Sequence, residues 1–166
     1  MAMIHQNGRS SEVESIERLS LFELTGKLFG IDIVASREVL PLPENWTPLP
    51  NSGEVYRGVF NLRGEIFPLV DISPILGLTP KEILPDDMVI LVEHEPEFIV
   101  GIVVDKVHGI MSYSPPDMKL PRGLVPRSIE PYVSGVVYHH RNPERNPIYV
   151  LDLRNIFRTK AFLAYY

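Results

Sequence analysis

Gly58-Val59-Phe60-Asn61-Leu62-Arg63-Gly64-Glu65-Ile66-Phe67-Pro68-Leu69-Val70-Asp71 reads as two short strands and the turn between them. Tyr56 to Leu62 and Glu65 to Val70 are apolar, β-rich runs. Arg63-Gly64 separates them, and glycine permits the positive φ that a two-residue hairpin tip requires. The pattern returns later in the chain. Gly58-Val59 leads to Pro68-Leu69-Val70-Asp71-Ile72, as Gly135-Val136 leads to Pro147-Ile148-Tyr149-Val150-Leu151-Asp152-Leu153. A Leu-Pro pair lies upstream of each, Leu49-Pro50 and Leu120-Pro121, and before those Gly30-Ile31-Asp32-Ile33-Val34 answers to Gly101-Ile102-Val103-Val104-Asp105. The offset is 71 residues early and 77 to 81 later, with the slack in loops. The chain thus reads as two copies of one five-strand unit. Each is too small to be comfortable alone, so the two are expected to pack together and share a groove. Closing each sheet on itself would remove exposed edges. The expected fold class is all-β, with two intertwined five-stranded β-barrels.

The remaining strands read outward from that frame. Leu19 to Leu24 and Lys27 to Val34 flank a tight turn at Thr25-Gly26, and Arg37 to Leu40 is a short strand stopped by Pro41. Pro41 to Pro50 holds four prolines and reads as an extended loop. Met88 to Glu93 and Phe98 to Val107 form another pair, while Val133 to His139 and Ile148 to Leu153 end the strand list. Ser73 as N-cap with Pro74 as first helical residue predicts a short helical turn after the first barrel. A C-terminal helix is expected from Leu153 onward, with Ile156, Phe157, Leu163 and Tyr166 inward. Residues 1–17 lack periodicity and read as a flexible tail. One domain is expected over 18–166, with the first barrel at about 18–84, the second at about 85–158 and the helix at about 153–166.

Composition narrows the function classes. At 45% hydrophobic and 22% charged residues the chain is an ordinary globular protein. With no cysteine there is neither a disulfide framework nor a thiolate zinc site. The net charge is −5, and no cluster of Lys and Arg appears that would draw in nucleic acid. The longest fully apolar run, Phe98 to Val104, is far short of the ~20 residues that span a bilayer. The first twenty residues hold no apolar core of a signal peptide. The expectation is a cytosolic protein without membrane insertion. G-x-S-x-G, G-x-x-x-x-G-K-[ST] and G-x-G-x-x-G are all missing, so hydrolase, P-loop and dinucleotide readings lack their motif.

The stretch from Gly58 to Asp71 resembles the signature G-V-x-N-L-R-G-x-I-x-P-[LIV]-[LIV]-D of the CheW-like family, every fixed position being met. Phe29-Gly30-Ile31-Asp32-Ile33, Arg37-Glu38-Val39-Leu40 and Gly101-Ile102-Val103-Val104-Asp105-Lys106-Val107 resemble its other conserved segments, in order, over about residues 19 to 158. Gly109, Gly53 and Ser36 depart from the family pattern. The resemblance implies two intertwined barrels and a non-catalytic adaptor. Such an adaptor links the cytoplasmic helical tip of chemoreceptors to the regulatory domain of the histidine kinase CheA, itself CheW-like. No receiver, kinase or phosphotransfer segment accompanies the unit, so a stand-alone coupling protein is expected. It would be recruited to receptor arrays at the inner face of the membrane. A second reading keeps the fold within a twitching or other non-flagellar chemosensory pathway. A third, a small enzyme using the inter-barrel groove, would need convergent titratable groups where the groove candidates are aliphatic.

Arg63, at the hairpin tip, is expected to pair with Glu38 and present that pair to a receptor helix. By resemblance, Gly64, Val89, Gly101 and Val107 complete the receptor-binding candidates, while Arg57, Gly58 and Leu124 are the kinase-binding ones. Val89, Ile90, Val103, Val104 and Val107 can equally be core, since apolar grooves accept helix faces. Asp71 and Asp152 are repeat-related carboxylates and read as caps rather than a catalytic pair. His5, His94, His108, His139 and His140 show no chelating spacing, because adjacent His139 and His140 would face opposite sides of a strand. No catalytic residue, metal or cofactor is therefore expected. Leu124-Val125-Pro126-Arg127-Ser128 matches a thrombin cleavage sequence and predicts a nick.

Overall fold

The structure, a computed structural model, describes residues 15–139 and 146–164. Most of the expected tail, together with His140 and Tyr166, lies outside the described residues.

Among the described residues, eleven strands form two sheets. The strands are β1 (Glu17–Leu24), β2 (Lys27–Asp32), β3 (Ser36–Pro41), β4 (Thr47–Pro48), β5 (Tyr56–Leu62), β6 (Glu65–Val70), β7 (Met88–Glu95), β8 (Phe98–Val104), β9 (Lys106–Tyr113), β10 (Val133–Tyr138) and β11 (Pro147–Leu151). The five-stranded sheet runs β10-β11-β2-β1-β9, and the six-stranded sheet runs β3-β7-β8-β6-β5-β4. The internal repeat is visible in both orders. β7, β8 and β3 of one sheet stand where β1, β2 and β9 stand in the other, and the β5–β6 hairpin answers to β10–β11. Each repeat also lends strands to the other's sheet. β6 pairs parallel with β8 (Leu69 opposite Gly101), and β11 pairs parallel with β2 (Val150 opposite Gly30). The chain position near 84 therefore separates the repeats in sequence but not the sheets, and the intertwining is physical.

Three expectations need correction. Neither sheet closes: among the described residues no backbone ladder joins β9 to β10, or β3 to β5. The expected short helical turn runs from Ser73-Pro74 to Gly77, held by Leu76 N to Ile72 O and Leu78 N to Ser73 O, but its expected cap is not formed. The Ser73 hydroxyl caps nothing; Asp71 Oδ1 accepts from Ser73 N at 2.9 Å instead. The C-terminal helix is two short ones, α1 (Leu153–Phe157) and α2 (Lys160–Leu163). Thr159 splits them, taking extended backbone angles and accepting from Phe162 N at 3.3 Å as a second N-cap. That break turns Phe162 inward and leaves Leu163 exposed, the reverse of the pattern a continuous helix would give. Asp152 does cap α1, accepting from Asn155 N.

Each sheet has two apolar faces. One face encloses a small private core: Leu19, Leu21, Met111, Val137, Ile148 and Val150 in the five-stranded sheet, and Leu40, Phe60, Leu69, Val89, Leu91 and Val103 in the six-stranded one. The opposite faces meet in a shared core around Phe22, Phe29, Ile31, Ile90, Val100 and Ile102, completed by Phe157 and Phe162 from the helices. Each large side chain buried there stabilises by roughly 1.5–3 kcal/mol, so this shared core holds the sheets together.

Between β9 and β10 the chain makes successive turns. Val125 and Ile129 are buried, and Leu124, Arg127 and Ser128 are exposed. Backbone N–H groups of Val125 and Ile129 donate to Pro121 O and Pro126 O within those turns. A trypsin-like protease needs an extended substrate backbone, so the thrombin match is masked by conformation. We expect the folded protein to survive overnight thrombin treatment on a denaturing gel. Cleavage after Arg127 should appear only as denaturant opens the segment.

Candidate functional site

β5 and β6 meet at a two-residue turn in which Arg63 has φ 52° and Gly64 φ 86°. Positive φ at both central positions is the type I′ geometry, whose twist suits a hairpin. Asn61 Oδ1 accepts from Gly64 N at 3.1 Å and fixes the turn. The turn throws the Arg63 side chain across the end of the sheet onto Glu38 of the edge strand β3. The guanidinium donates two hydrogen bonds to that carboxylate, at 2.7 and 3.0 Å. In ladder order, β7 and β8 lie between β3 and the hairpin. Contact between the two therefore requires the sheet to curl, and the ion pair bridges its mouth where no backbone ladder does.

Beneath the pair is an open groove of about 700 Å³, with Leu62, Phe67, Leu91 and Ile99 as apolar lining and Arg37, Glu65 and Glu97 beside Glu38 and Arg63 on the rim. The hydrogen bond from Arg63 holds the Glu38 carboxyl below the usual glutamate value, and Glu38 raises Arg63 in return. A carboxylate with a lowered value keeps its partner above the ordinary glutamate range, about pH 4.3. The pair is lost only as pH falls through the lowered value. It is intact at every physiological pH.

The candidates separate in space. Glu38, Arg63 and Gly64 come together at this mouth. Val89 and Gly101 lie below it in the private core, where a Cβ on Gly101 would sit 2.7 Å from Val89 Cγ1 and Phe60 Cε1. Both are buried, so they shape the sheet from inside and offer no contact surface. Val107 belongs to β9 in the other sheet, half-buried against the shared core. Arg57 turns inward, donating to Lys81 O at 2.6 Å and lying 3.4 Å from buried Asp71. Gly58 is covered by Thr47 of β4, and Leu124 is exposed in the turns before β10. His139 lies past the end of β10. Among the described residues no three His, Asp or Glu side chains gather as metal ligands.

Sequence reasoning missed a buried ionic hub. Lys81, in the linker between repeats, has a side chain only 3% exposed. Its ammonium donates to Asp105 Oδ1 (2.6 Å), Asp87 Oδ2 (2.8 Å) and Glu82 O (3.0 Å), filling all three donor positions. Its backbone N–H donates to Asp71 Oδ2, and Asp105 Oδ2 accepts from Thr25 N in the β1–β2 turn. One lysine thus ties the linker to both sheets. Burial alone would lower its pKa, but the hydrogen bonds to Asp105 and Asp87 outweigh that and raise it above the ordinary lysine value. Nothing in periodicity marks a lone linker lysine as buried.

The chain matches the CheW-like domain family over residues 18–161. It is 25% identical to the chemotaxis protein CheW of Treponema pallidum over 86% of this chain and 83% of that one. Protein PilI of Pseudomonas aeruginosa is 28% identical over 74% of this chain and 67% of its own. The fold matches the crystal structure of scaffolding protein TtCheW from Thermoanaerobacter tengcongensis with a TM-score of 0.73. The two share 24% identity over 89% of this chain and 96% of that one.

Proposed function

The chain belongs to the CheW-like domain family, and from that premise we propose that it couples chemoreceptors to a CheA-type histidine kinase. It is a non-catalytic, CheW-like scaffold protein of chemotaxis. The proposal concerns its two partners and the surfaces they use. The observation that carries it is the Glu38–Arg63 pair spanning an apolar groove at the mouth of the six-stranded sheet. An apolar lining with a charged rim suits one face of an amphipathic helix, with the rim fixing its register. We assign Glu38, Arg63 and Gly64 to the receptor contact. Val89 and Gly101 support that contact from beneath, and Val107 lies outside this mouth. Arg57 and Gly58 would act on the kinase side through the fold of β4 and β5, with Leu124 as an exposed contact. No helix among the described residues is long and apolar enough to cross a membrane. Recruitment to receptor arrays at the membrane's inner face would then come through the receptor contact.

The test mixes CheA and receptor fragments with and without the protein and reads kinase autophosphorylation. The wild type should raise it. Arg63→Glu sets two carboxylates side by side, and should weaken the receptor contact by roughly five- to tenfold. Because the pair is exposed, melting should stay within about 2 °C of wild type. Full activity from a folded Arg63→Glu protein would remove this mouth from the receptor contact. No effect from the wild type would remove the coupling role. The similarity to PilI supports a second reading, in which the same scaffold serves a twitching pathway. Assays with kinases from each pathway separate the two.

A further inference from the structure

The repeat extends to an irregularity in both sheets. Where β3 pairs with β7, the register skips Arg37 between Ser36 and Glu38. Where β9 pairs with β1, it skips His108 between Val107 and Gly109, and Gly109 takes φ 93° there. A β-bulge re-aims the side chain of its extra residue. Each bulge here lays a basic side chain on a carboxylate of the neighbouring strand. Arg37 Nη1 lies 3.6 Å from Glu93, and His108 Nε2 lies 2.7 Å from Glu23. Each pair stands at the open end of its sheet, but one base is permanently charged and the other is an imidazole.

We propose that the His108–Glu23 contact is a pH-responsive clasp on the open end of the five-stranded sheet, standing where the six-stranded sheet carries a pH-insensitive one. Histidine ordinarily changes charge between pH 5 and 8. Imidazolium makes a charge-assisted hydrogen bond to Glu23, which a neutral ring cannot match. Both members of the clasp line a cavity of about 380 Å³ that Leu28 also borders. Other ionisable groups face it from each neighbouring element. Lys27 of β2 and Tyr149 of β11 line the cavity, and Lys106 stands opposite Glu23 across the ladder. His139 lines the adjoining cavity with His108. Asp105 is held by Lys81 and Thr25. Of these, only His139 is another imidazole, so it is the necessary control. The proposal does not depend on the adaptor reading, because both repeats carry the bulge whatever docks there.

Amide hydrogen exchange on the full chain tests it. After correction for intrinsic base catalysis, β9 amides should exchange about two- to fivefold faster at pH 8 than at pH 6, while β3 amides should not. His108→Arg should abolish the difference in β9, Glu23→Gln should do the same, and Arg37→His should create it in β3. His139→Gln should leave it in place. Equal corrected rates in the wild type would overturn the clasp. So would a difference that survives His108→Arg or disappears with His139→Gln.

Discussion

Lys81→Met is expected to lower the melting temperature by about 6–20 °C. Removing one partner of a buried ion pair costs about 3–5 kcal/mol because the other charge stays buried and uncompensated. Each kcal/mol moves the midpoint of a chain this size by about 2–4 °C. The stranded charge is chiefly Asp87, with a side chain 5% exposed, whereas Asp105 at 34% retains water. Lys81→Met combined with Asp87→Asn should therefore recover part of the loss. The amide nitrogen removes the stranded charge, while its oxygen can still accept from Leu84 N, as Asp87 Oδ2 does at 2.8 Å. If the single and double variants melt together, the lysine acts by packing alone.

The pH dependence of that difference follows in sign. Lys81 has its value raised in the folded protein, so its contribution is complete below the unfolded value, about 10.4. It is lost as pH rises through the folded one. The gap between wild type and Lys81→Met should be flat from pH 7 to 9 and shrink only in alkali, as read by denaturant midpoints. Thr25, Asp71 and Arg57 all connect to this hub. Its loss should loosen both sheets at once rather than one edge.

The positions of the strands were legible because the apolar alternation and the glycine turns are local. The repeat carried further. Shifted by the early offset of 71, β3 (36–41) falls on residues 107–112, inside β9. Gly109 and the polar residues around it hide that strand from periodicity. What the repeat could not convey was exchange between the units, since a strand's partner is a long-range choice. The Glu38–Arg63 pair was readable from the hairpin tip and the resemblance together. Lys81 was not readable, because its burial depends on two carboxylates brought together over long range, Asp87 of the linker and Asp105 between β8 and β9. Ser73 misled for a related reason. Asp71, two residues earlier, holds Ser73 N, and Leu76 N, the donor a Ser73 cap would take, goes to Ile72 O instead.

Gly58→Ala should cost about 3 kcal/mol, or about 6–12 °C in melting temperature, and it decides what Gly58 contributes to partner binding. A Cβ at this position would run into the Thr47 carbonyl oxygen, with Pro48 Cα 3.1 Å away. Those are backbone atoms of β4, which cannot swing aside as a side chain would. Accommodation requires opening the β4–β5 ladder, in which Pro48 pairs with Gly58. The repeat supplies the control. Gly135 meets the flexible Met118 side chain first and the Lys119 carbonyl oxygen only at 2.8 Å. Gly135→Ala should therefore cost less, about 1–2 kcal/mol. Displacing β5 would also pull Arg57 off Lys81 O, disturbing the hub from the other side. On the proposed coupling role, kinase-domain affinity and melting should then fall together in Gly58→Ala. A variant that melts like the wild type but no longer binds the kinase domain would instead make Gly58 a direct contact.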